Sequence, residues 1–315
     1  MKLAVLDLGS QTFHLAVFRA ERGQLAVLER SREMVRLADG RHLLEPGVLG
    51  AADRLLRRAL AHRCQLAVVA TSAVREADDA AAFAERLRRD HGVEVEVLAG
   101  EDEARLAYLG ARSSLEEPAG RVAVIDAGGG STEVAVGDGP SCQLHASLPL
   151  GILRLRHELV PADGYVSGIT ARAIADAARA CLEPALAPVR ELAPDTVVFA
   201  SGTARAVRSL AHELADQPTD DPVLTRAAIR RLCGVLAKFR PSDLETLGID
   251  DERADTIAVG AVVLDLFLEL LDAPVAWISE RGLREGVALR ELARAQRDQG
   301  ADQAAVTRGA SRPGW

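Results

Sequence analysis

Two stretches of the chain, one in each half, carry the same pattern: LAVLDLGSQTFHLAVF beginning at Leu3 and VAVIDAGGGSTEVAVG beginning at Val122. Each reads as an apolar strand, an Asp, one spacer residue, a Gly, a tight turn carrying hydroxyls, and a second apolar strand. Repetition of a whole strand–turn–strand unit at the start of two similar halves predicts duplicated domains facing each other across a cleft. The length of 315 residues agrees, because it exceeds what one hydrophobic core ordinarily holds.

Around these units short β-branched runs alternate with longer helical patterns, the signature of an α/β fold. Strands are predicted over 3–7, 14–19, 25–29, 66–70 and 93–98, and again over 122–126, 133–136, 143–147, 197–200 and 275–278. Helices are predicted over 46–62, 77–91, 102–113 and 170–189, then 204–213, 224–239, 254–271 and 283–295. The polar stretch SSLEEPAG at 113–120, with Pro118 and Gly120, marks the expected domain boundary. The division is then 1–117, 118–295 and a polar tail, 296–315, expected to be frayed or disordered.

The two turns have the composition of an anion cradle. Glycines directly after a strand let backbone N–H groups approach a ligand and admit positive φ. In DAGGGSTE, Gly128, Gly129 and Gly130 supply that freedom, while Ser131 and Thr132 add hydroxyl donors. Gly9, Ser10, Gln11 and Thr12 in DLGSQT are placed to do the same from the opposite wall. Either turn alone reads equally well as a plain hairpin; the pair, each led by a strand-end Asp, points to phosphate. There is no G-x-x-x-x-G-K-[ST] sequence, and neither unit leads into the helix that a dinucleotide fingerprint requires.

Asp7, Asp126 and Glu133 stand beside these turns. Hard oxygen ligands next to a phosphate suit Mg²⁺, which keeps several waters and takes one or two protein carboxylates; turn capping and a surface position are the ordinary alternatives. In AGEDEARLAYLG three acids crowd the first turn of a helix. Helix-dipole stabilisation of about 0.3–1 kcal/mol per charge accounts for them, and spacing does not choose among Glu101, Asp102 and Glu103 as a cleft carboxylate. Arg75 in ATSAVRE is either a charge-offsetting arginine or a helix-start ion-pair partner. Gly202 and Thr203 in ASGTARAV lie between a strand and a helix N-terminus, where capping and anion binding both fit. His14 alternates with apolar neighbours and is expected to be packed or hydrogen-bonded rather than catalytic.

The bulk properties exclude several classes. A formal net charge of −8 argues against a general nucleic-acid or membrane-surface binder, so an anionic substrate needs a local basic cleft. Of 38 basic residues only Lys2 and Lys238 are lysines, which suits bidentate phosphate contacts and equally fits an Arg-rich genome. Cys64, Cys142, Cys181 and Cys233 are widely spaced, with no C-x-x-C pair, and read as reduced thiols in a cytoplasmic protein rather than a zinc site. Lys2 is followed by only four apolar residues before Asp7, too few for a signal peptide, and no run is long enough for a transmembrane helix.

The segments DLGSQTFHLAVF, ATSAVREA, GEDEARLAYLG, VIDAGGGSTEV, SLPLG, ASGTARAV and GLREGVAL, in this order from residue 3 to about 292, resemble the exopolyphosphatase / guanosine pentaphosphate phosphohydrolase family. The resemblance implies two ribonuclease-H-like domains of the actin/Hsp70/sugar-kinase superfamily with the active site between them. It implies Mg²⁺-dependent removal of terminal phosphate from inorganic polyphosphate or guanosine pentaphosphate, and a homodimer. By position, Glu103 matches the family's base for the attacking water, Arg75 an active-site arginine, and Asp126 and Glu133 the acids that bind metal or water. Gly128, Gly129, Gly130 and Ser131 match one phosphate loop, Gly9 and Ser10 the other. Gln11-Thr12 departs from the family's Asn-Ser or Asn-Thr. The chain resembles the short form, without the helical C-terminal domain of long members, and a preference for short chains or nucleotides is expected. A kinase of the same superfamily and a polyphosphate or alarmone sensor with little turnover are the rival readings.

Overall fold

The computed structural model describes residues 1–21, 24–37, 42–115, 120–240, 243 and 256–309, with side chains through 298. The first half is a five-stranded sheet of β1 (Lys2–Leu8), β2 (Thr12–Glu21), β3 (Gln24–Met34), β4 (Gln65–Ala70) and β5 (Val95–Val97), in the order β3-β2-β1-β4-β5. The β1–β2–β3 meander is antiparallel, and β4 and β5 join in parallel. The second half repeats this plan with β6 (Val122–Ala127), β7 (Thr132–Gly137), β8 (Leu144–Leu148), β9 (Thr196–Phe199) and β11 (Val275–Ile278), in the order β8-β7-β6-β9-β11. A short strand, β10 (Val223–Thr225), adds an antiparallel edge. The duplicated ribonuclease-H-like topology is therefore present in full, not only its opening hairpins.

All ten expected strands form; most carry Val, Ile or Thr, whereas β8, LHASL, has none and is held by its pairing with β7. Helices α1 (Pro46–Ala61), α3 (Ala80–His91), α4 (Gly100–Arg112), α6 (Gly168–Glu191), α7 (Gly202–Glu213), α8 (Arg226–Leu236), α9 (Ile257–Leu270) and α10 (Leu283–Gly309) occupy the expected helical segments. The start of α9's expected segment, 254–255, and part of the expected boundary, 116–119, lie outside the described residues. Two helices escaped the sequence reading: α2 (Ser72–Glu76), too short to show a period, and α5 (Ile152–Leu159), which follows directly on SLPLG. No described helix is long and apolar enough to cross a membrane. The four cysteines are free and half-buried.

Two expectations need correction. The tail expected to be frayed or disordered from 296 is helical to Gly309 as the continuation of α10, and 310–315 lie outside the described residues; its Ala, Arg and Gln are good helix formers. Moreover, α10 does not cover the second sheet. Its Leu283, Val287, Ala288 and Leu292 pack with Leu106 of α4 against Leu3, Val5, Ala16 and Phe18 of the first. The end of the chain thus returns to the first lobe, which a division by sequence order does not anticipate.

Strand periodicity explains the cleft. In β1, Ala4, Leu6 and Leu8 join the outer core with α1 and α3, while Leu3 and Val5 face α4 and α10. Asp7 is next on that inner face, because alternate residues share a side. In β6, Ala123, Ile125 and Ala127 face the large core under α6 and α9. Val122 and Val124 instead pack on Tyr108 and Ala111 of α4, which puts Asp126 on the α4 side. Both strand-end carboxylates therefore point at the helical layer shared by the two sheets.

Candidate active site

A cavity of about 160 Å³ opens between the two turns. It is lined by Asp7, Gly9, Ser10, Gln11 and Thr12 from the first lobe, and by Asp126, Gly128, Gly129, Gly130, Ser131 and Glu133 from the second. Glu103 of α4 and Gly202 and Thr203 at the start of α7 complete the expected set. That space corresponds to about ten water positions, or a short phosphate chain.

The turns meet across very little distance. A Cβ on Gly130 would lie 2.5 Å from Ser10 Oγ, and one on Gly129 would lie 3.3 Å from Gln11 Cβ. Within its own hairpin, Gly9 would place a Cβ 2.9 Å from the Thr12 carbonyl oxygen, and Gly128 one 3.0 Å from that of Ser131. Positive φ occurs at Gly92, Gly120 and Gly164 and at no glycine of either turn. The expectation that these glycines serve left-handed backbone is thus corrected: they are small because two backbones and two lobes converge on them.

The second turn is held from behind. The amides of Ile152 and Leu153, at the N-terminus of α5, each donate at 3.0 Å to the carbonyls of Gly128 and Gly129. In a planar trans peptide the N–H points opposite to the C=O, so the amides of Gly129 and Gly130 turn towards the cleft. In the first turn the same job falls to the segment just after β3. Leu37 N donates to the Ser10 carbonyl at 2.7 Å, and Val35 N and Arg36 N donate to that of Gln11 at 2.9 and 3.0 Å. The N-terminus of α7, with Ser201 Oγ accepting from Ala204 N at 3.0 Å, adds a third set of positive partial charges.

Facing these donors are four carboxylates: Asp7, Glu103 and Glu133 are buried, and Asp126 is half-buried. Asp126 and Glu133 are direct cross-strand partners in β6 and β7, so they share one face. The equivalent pair in β1 and β2 is Asp7 and His14. Duplication has therefore kept an acid pair in one hairpin only, and His14 is among the residues that line the cavity. Ser147 Oγ donates to Glu133 Oε1 at 2.7 Å. Glu103 resolves the choice within GEDEARL: its side chain is 10% exposed, against 70% for Glu101 and 53% for Asp102.

Burial sets the electrostatics here. Desolvation raises Asp7 to about 6, although Arg284 Nη1 lies 3.7 Å from its Oδ2; desolvation outweighs that attraction, and Asp126 adds to the rise. Glu103 is pushed to about 8, mainly by burial, with Arg75 opposing and the charges of Asp7 and Asp126 assisting. Asp126 is raised by desolvation against Arg205 and Arg284, and Glu133 is held well above the carboxylate range by burial and by Glu103. Asp7 Oδ1 is buried with no hydrogen-bond partner among the described residues.

Of the two roles the sequence left open for Arg75, its contacts match the ion-pair partner. Its Nη1 donates to the Leu98 carbonyl at 2.7 Å and to Glu103 Oε2 at 3.1 Å, and it lines a second cavity behind Glu103, with His145 and Ser147. The cations that do line the turn cavity, Arg205 and Arg284, went unnoticed in the sequence although both lie in quoted segments. Both sit in the first turns of helices, where the dipole disfavours a cation; that misplacement was the available signal. Arg205 Nη1 donates to the carbonyls of Ala200 and Ser279 at 3.3 and 3.1 Å, and burial lowers it to about 10.

Two lobes of ribonuclease-H-like fold, with glycine turns on both walls of a cleft and a buried carboxylate between them, are those of a phosphoanhydride hydrolase. The chain belongs to the Ppx/GppA phosphatase family, whose model matches residues 16–295. It is 33% identical over 306 residues to exopolyphosphatase 1 of Mycobacterium tuberculosis, covering 93% of this chain and 88% of that protein. It is 29% identical over 302 residues to the guanosine-5'-triphosphate,3'-diphosphate pyrophosphatase of Photobacterium profundum, covering 92% of this chain and 59% of that protein. Among solved structures, the Aquifex aeolicus family member aligns with a TM-score of 0.78 at 27% identity, covering 94% of this chain and 98% of that one.

Proposed function

We propose that this chain is a Mg²⁺-dependent hydrolase that releases terminal phosphate from inorganic polyphosphate, with guanosine pentaphosphate as the second candidate substrate. The observation that carries the reading is Glu103, buried at about 7% exposure and facing two turns whose amides are turned inward. The order of substrates follows relatedness: the exopolyphosphatase relative is matched over 88% of its length, the pyrophosphatase over 59%.

Glu103 is the general base. Arg75 occupies Oε2, leaving Oε1 free of protein donors among the described residues to accept the proton of a water lined up with the terminal phosphorus. A base raised to about 8 matches proton abstraction near neutral pH. Water oxygen bonds to phosphorus as the bridging P–O bond breaks; orthophosphate leaves, and the shortened chain takes the negative charge. The inward amides of both turns, together with Arg205 and Arg284, hold the phosphate oxygens and offset their charge, so catalysis is positioning plus electrostatics.

A divalent cation fits the donors present. Asp7 Oδ1 lacks a partner, and the carboxylates of Asp7, Asp126 and Glu133 are raised by burial, Asp126 adding to the rise at the other two; a hard cation relieves both conditions. No group of three His, Cys, Asp or Glu side chains among the described residues is arranged to hold a metal by itself. Substrate oxygens and water would therefore complete the shell, as Mg²⁺ prefers. Bound there, it supplies charge neutralisation on the phosphoryl oxygens.

The decisive experiment measures orthophosphate release from short polyphosphate, long polyphosphate, guanosine pentaphosphate and ATP, with Mg²⁺ and with chelator. Metal-dependent release from polyphosphate supports the reading. Tight binding without release would replace it with a sensor, and ATP turnover stimulated by an added acceptor with a kinase. The homodimer implied by the resemblance is tested by sedimentation equilibrium.

A further inference from the structure

The segment SLPLG has no part in the reaction as described, yet it leads into the helix that splints the second turn. Gly151 is required there, because a Cβ would overlap the Gly129 carbonyl oxygen. After Ile152 and Leu153 have taken the carbonyls of Gly128 and Gly129, the third carbonyl in line is taken by a side chain. Arg154 Nε donates to the Gly130 oxygen at 2.7 Å. Among the described residues, the two carbonyls of the first turn accept from backbone amides only, and of the five splinted carbonyls that of Gly130 alone depends on a side chain.

The same guanidinium spans the cleft. Arg154 Nη2 pairs with Glu76 of α2 in the facing lobe, whose other carboxylate oxygen accepts from Ser72 Oγ at 3.0 Å. Ser72 Oγ in turn lies where a Cβ on Gly130 would approach to 2.8 Å. One chain of contacts thus runs from the first lobe through Glu76 and Arg154 to the peptide joining Gly130 and Ser131. By the trans geometry of that peptide, its N–H points away from Arg154 and into the cleft. The Ser131 amide donates to no protein acceptor among the described residues.

We propose that Arg154 is a positioning residue: it fixes the Gly130–Ser131 peptide with its N–H towards bound phosphate, and through Glu76 it makes that orientation depend on the two lobes being together. The proposal rests on the phosphate-site reading of the cleft and extends it to a residue outside the cavity lining.

Arg154→Gln, Arg154→Lys, Glu76→Gln and the Arg154→Gln/Glu76→Gln double variant test it through phosphate release and through calorimetric binding of orthophosphate. Arg154→Gln is expected to lower kcat by about 10- to 100-fold, somewhat less than the roughly 10²–10³ lost on outright removal of an oxyanion donor. Its orthophosphate affinity falls by several-fold, while its Tm stays close to wild type because the arginine is 34% exposed. Arg154→Lys, which retains a donor, recovers most of the rate. The double variant is no worse than Arg154→Gln alone, because both changes cut one link. Wild-type kcat and orthophosphate affinity in Arg154→Gln overturn the positioning role, and additive losses in the double variant overturn the dependence on the facing lobe. If wild type releases no phosphate, the hydrolase reading fails, and the orthophosphate affinities still decide the role of Arg154.

Discussion

Gly286 of α10 runs so close to Leu106 of α4 that a Cβ on it would overlap the Leu106 carbonyl oxygen; one turn away, a Cβ on Gly110 would overlap the carbonyl oxygen of Gly282. At these two glycines the helices approach backbone to backbone. Glu103 lies upstream of this crossing on α4, and Arg284 just before it on α10, so the crossing delivers both to one cavity. Glu285 secures the start of α10: its Oε2 accepts from Gly282 N at 2.9 Å and its Oε1 from Arg30 at 3.1 Å.

Gly286→Ala is therefore expected to destabilise the fold by about 1–3 kcal/mol or more, the usual cost of overpacking, and to reduce turnover by moving Arg284. Gly234→Ala in α8 is the control. A Cβ there meets nothing within 4 Å, so removing glycine from a helix interior should stabilise by roughly 0.5–1 kcal/mol. Denaturant midpoints of the two variants should move in opposite directions.

Glu103→Gln should lower kcat by at least about 10², the scale of a lost general base, with an unchanged circular dichroism spectrum. Glu101→Gln, two residues away but 70% exposed, should retain near wild-type turnover. Comparable losses in both would mean that the helix-start charge, not the buried base, matters.

Stability of the ligand-free protein should fall as pH rises. Folding raises Asp7 from 3.8 to about 6 and Glu103 from 4.5 to about 8, so the folded state favours their protonated forms. Their contribution is present below the unfolded values and lost as pH climbs through the folded ones, between about pH 4 and 8. Glu103→Gln, which keeps a neutral group at this site, should raise Tm at pH 8.5 by several degrees and change it little at pH 5. Differential scanning calorimetry at the two pH values reads this directly.

Mg²⁺ binding at the same carboxylates should expel protons, because a cation favours the ionised forms that burial disfavours. Calorimetric titration at pH 7 in buffers of different ionisation enthalpy should show net proton release, smaller at pH 9. Binding without proton release at pH 7 would place the cation away from Asp7, Asp126 and Glu133.

Much of this was written along the chain. The repeated Asp–turn–strand units are local patterns, and local steric and hydrophobic rules sufficed to place ten strands and to set Asp7 and Asp126 at strand ends beside glycine turns. Proximity in sequence did not suffice in other places. Spacing left Arg75 as either a charge-offsetting arginine or an ion-pair partner, and only packing brings it to Glu103, contributed by another helix. Arg205 and Arg284 carry only the weak signal of a cation in the first turn of a helix, and only packing shows that they line the cleft.

By itself the sequence determined the α/β class, the duplication and the chemical character of both turns, since each depends on side-chain period and on residues within a few positions of one another. The tertiary structure alone decided which of three neighbouring acids is buried and that the last helix returns to the first lobe. It also turned the carbonyls of Gly128, Gly129 and Gly130 away from the cleft, by way of α5. Those outcomes depend on burial, on backbone-to-backbone approach at Gly110 and Gly286, and on peptide orientation, which arise only when segments distant in sequence are packed together.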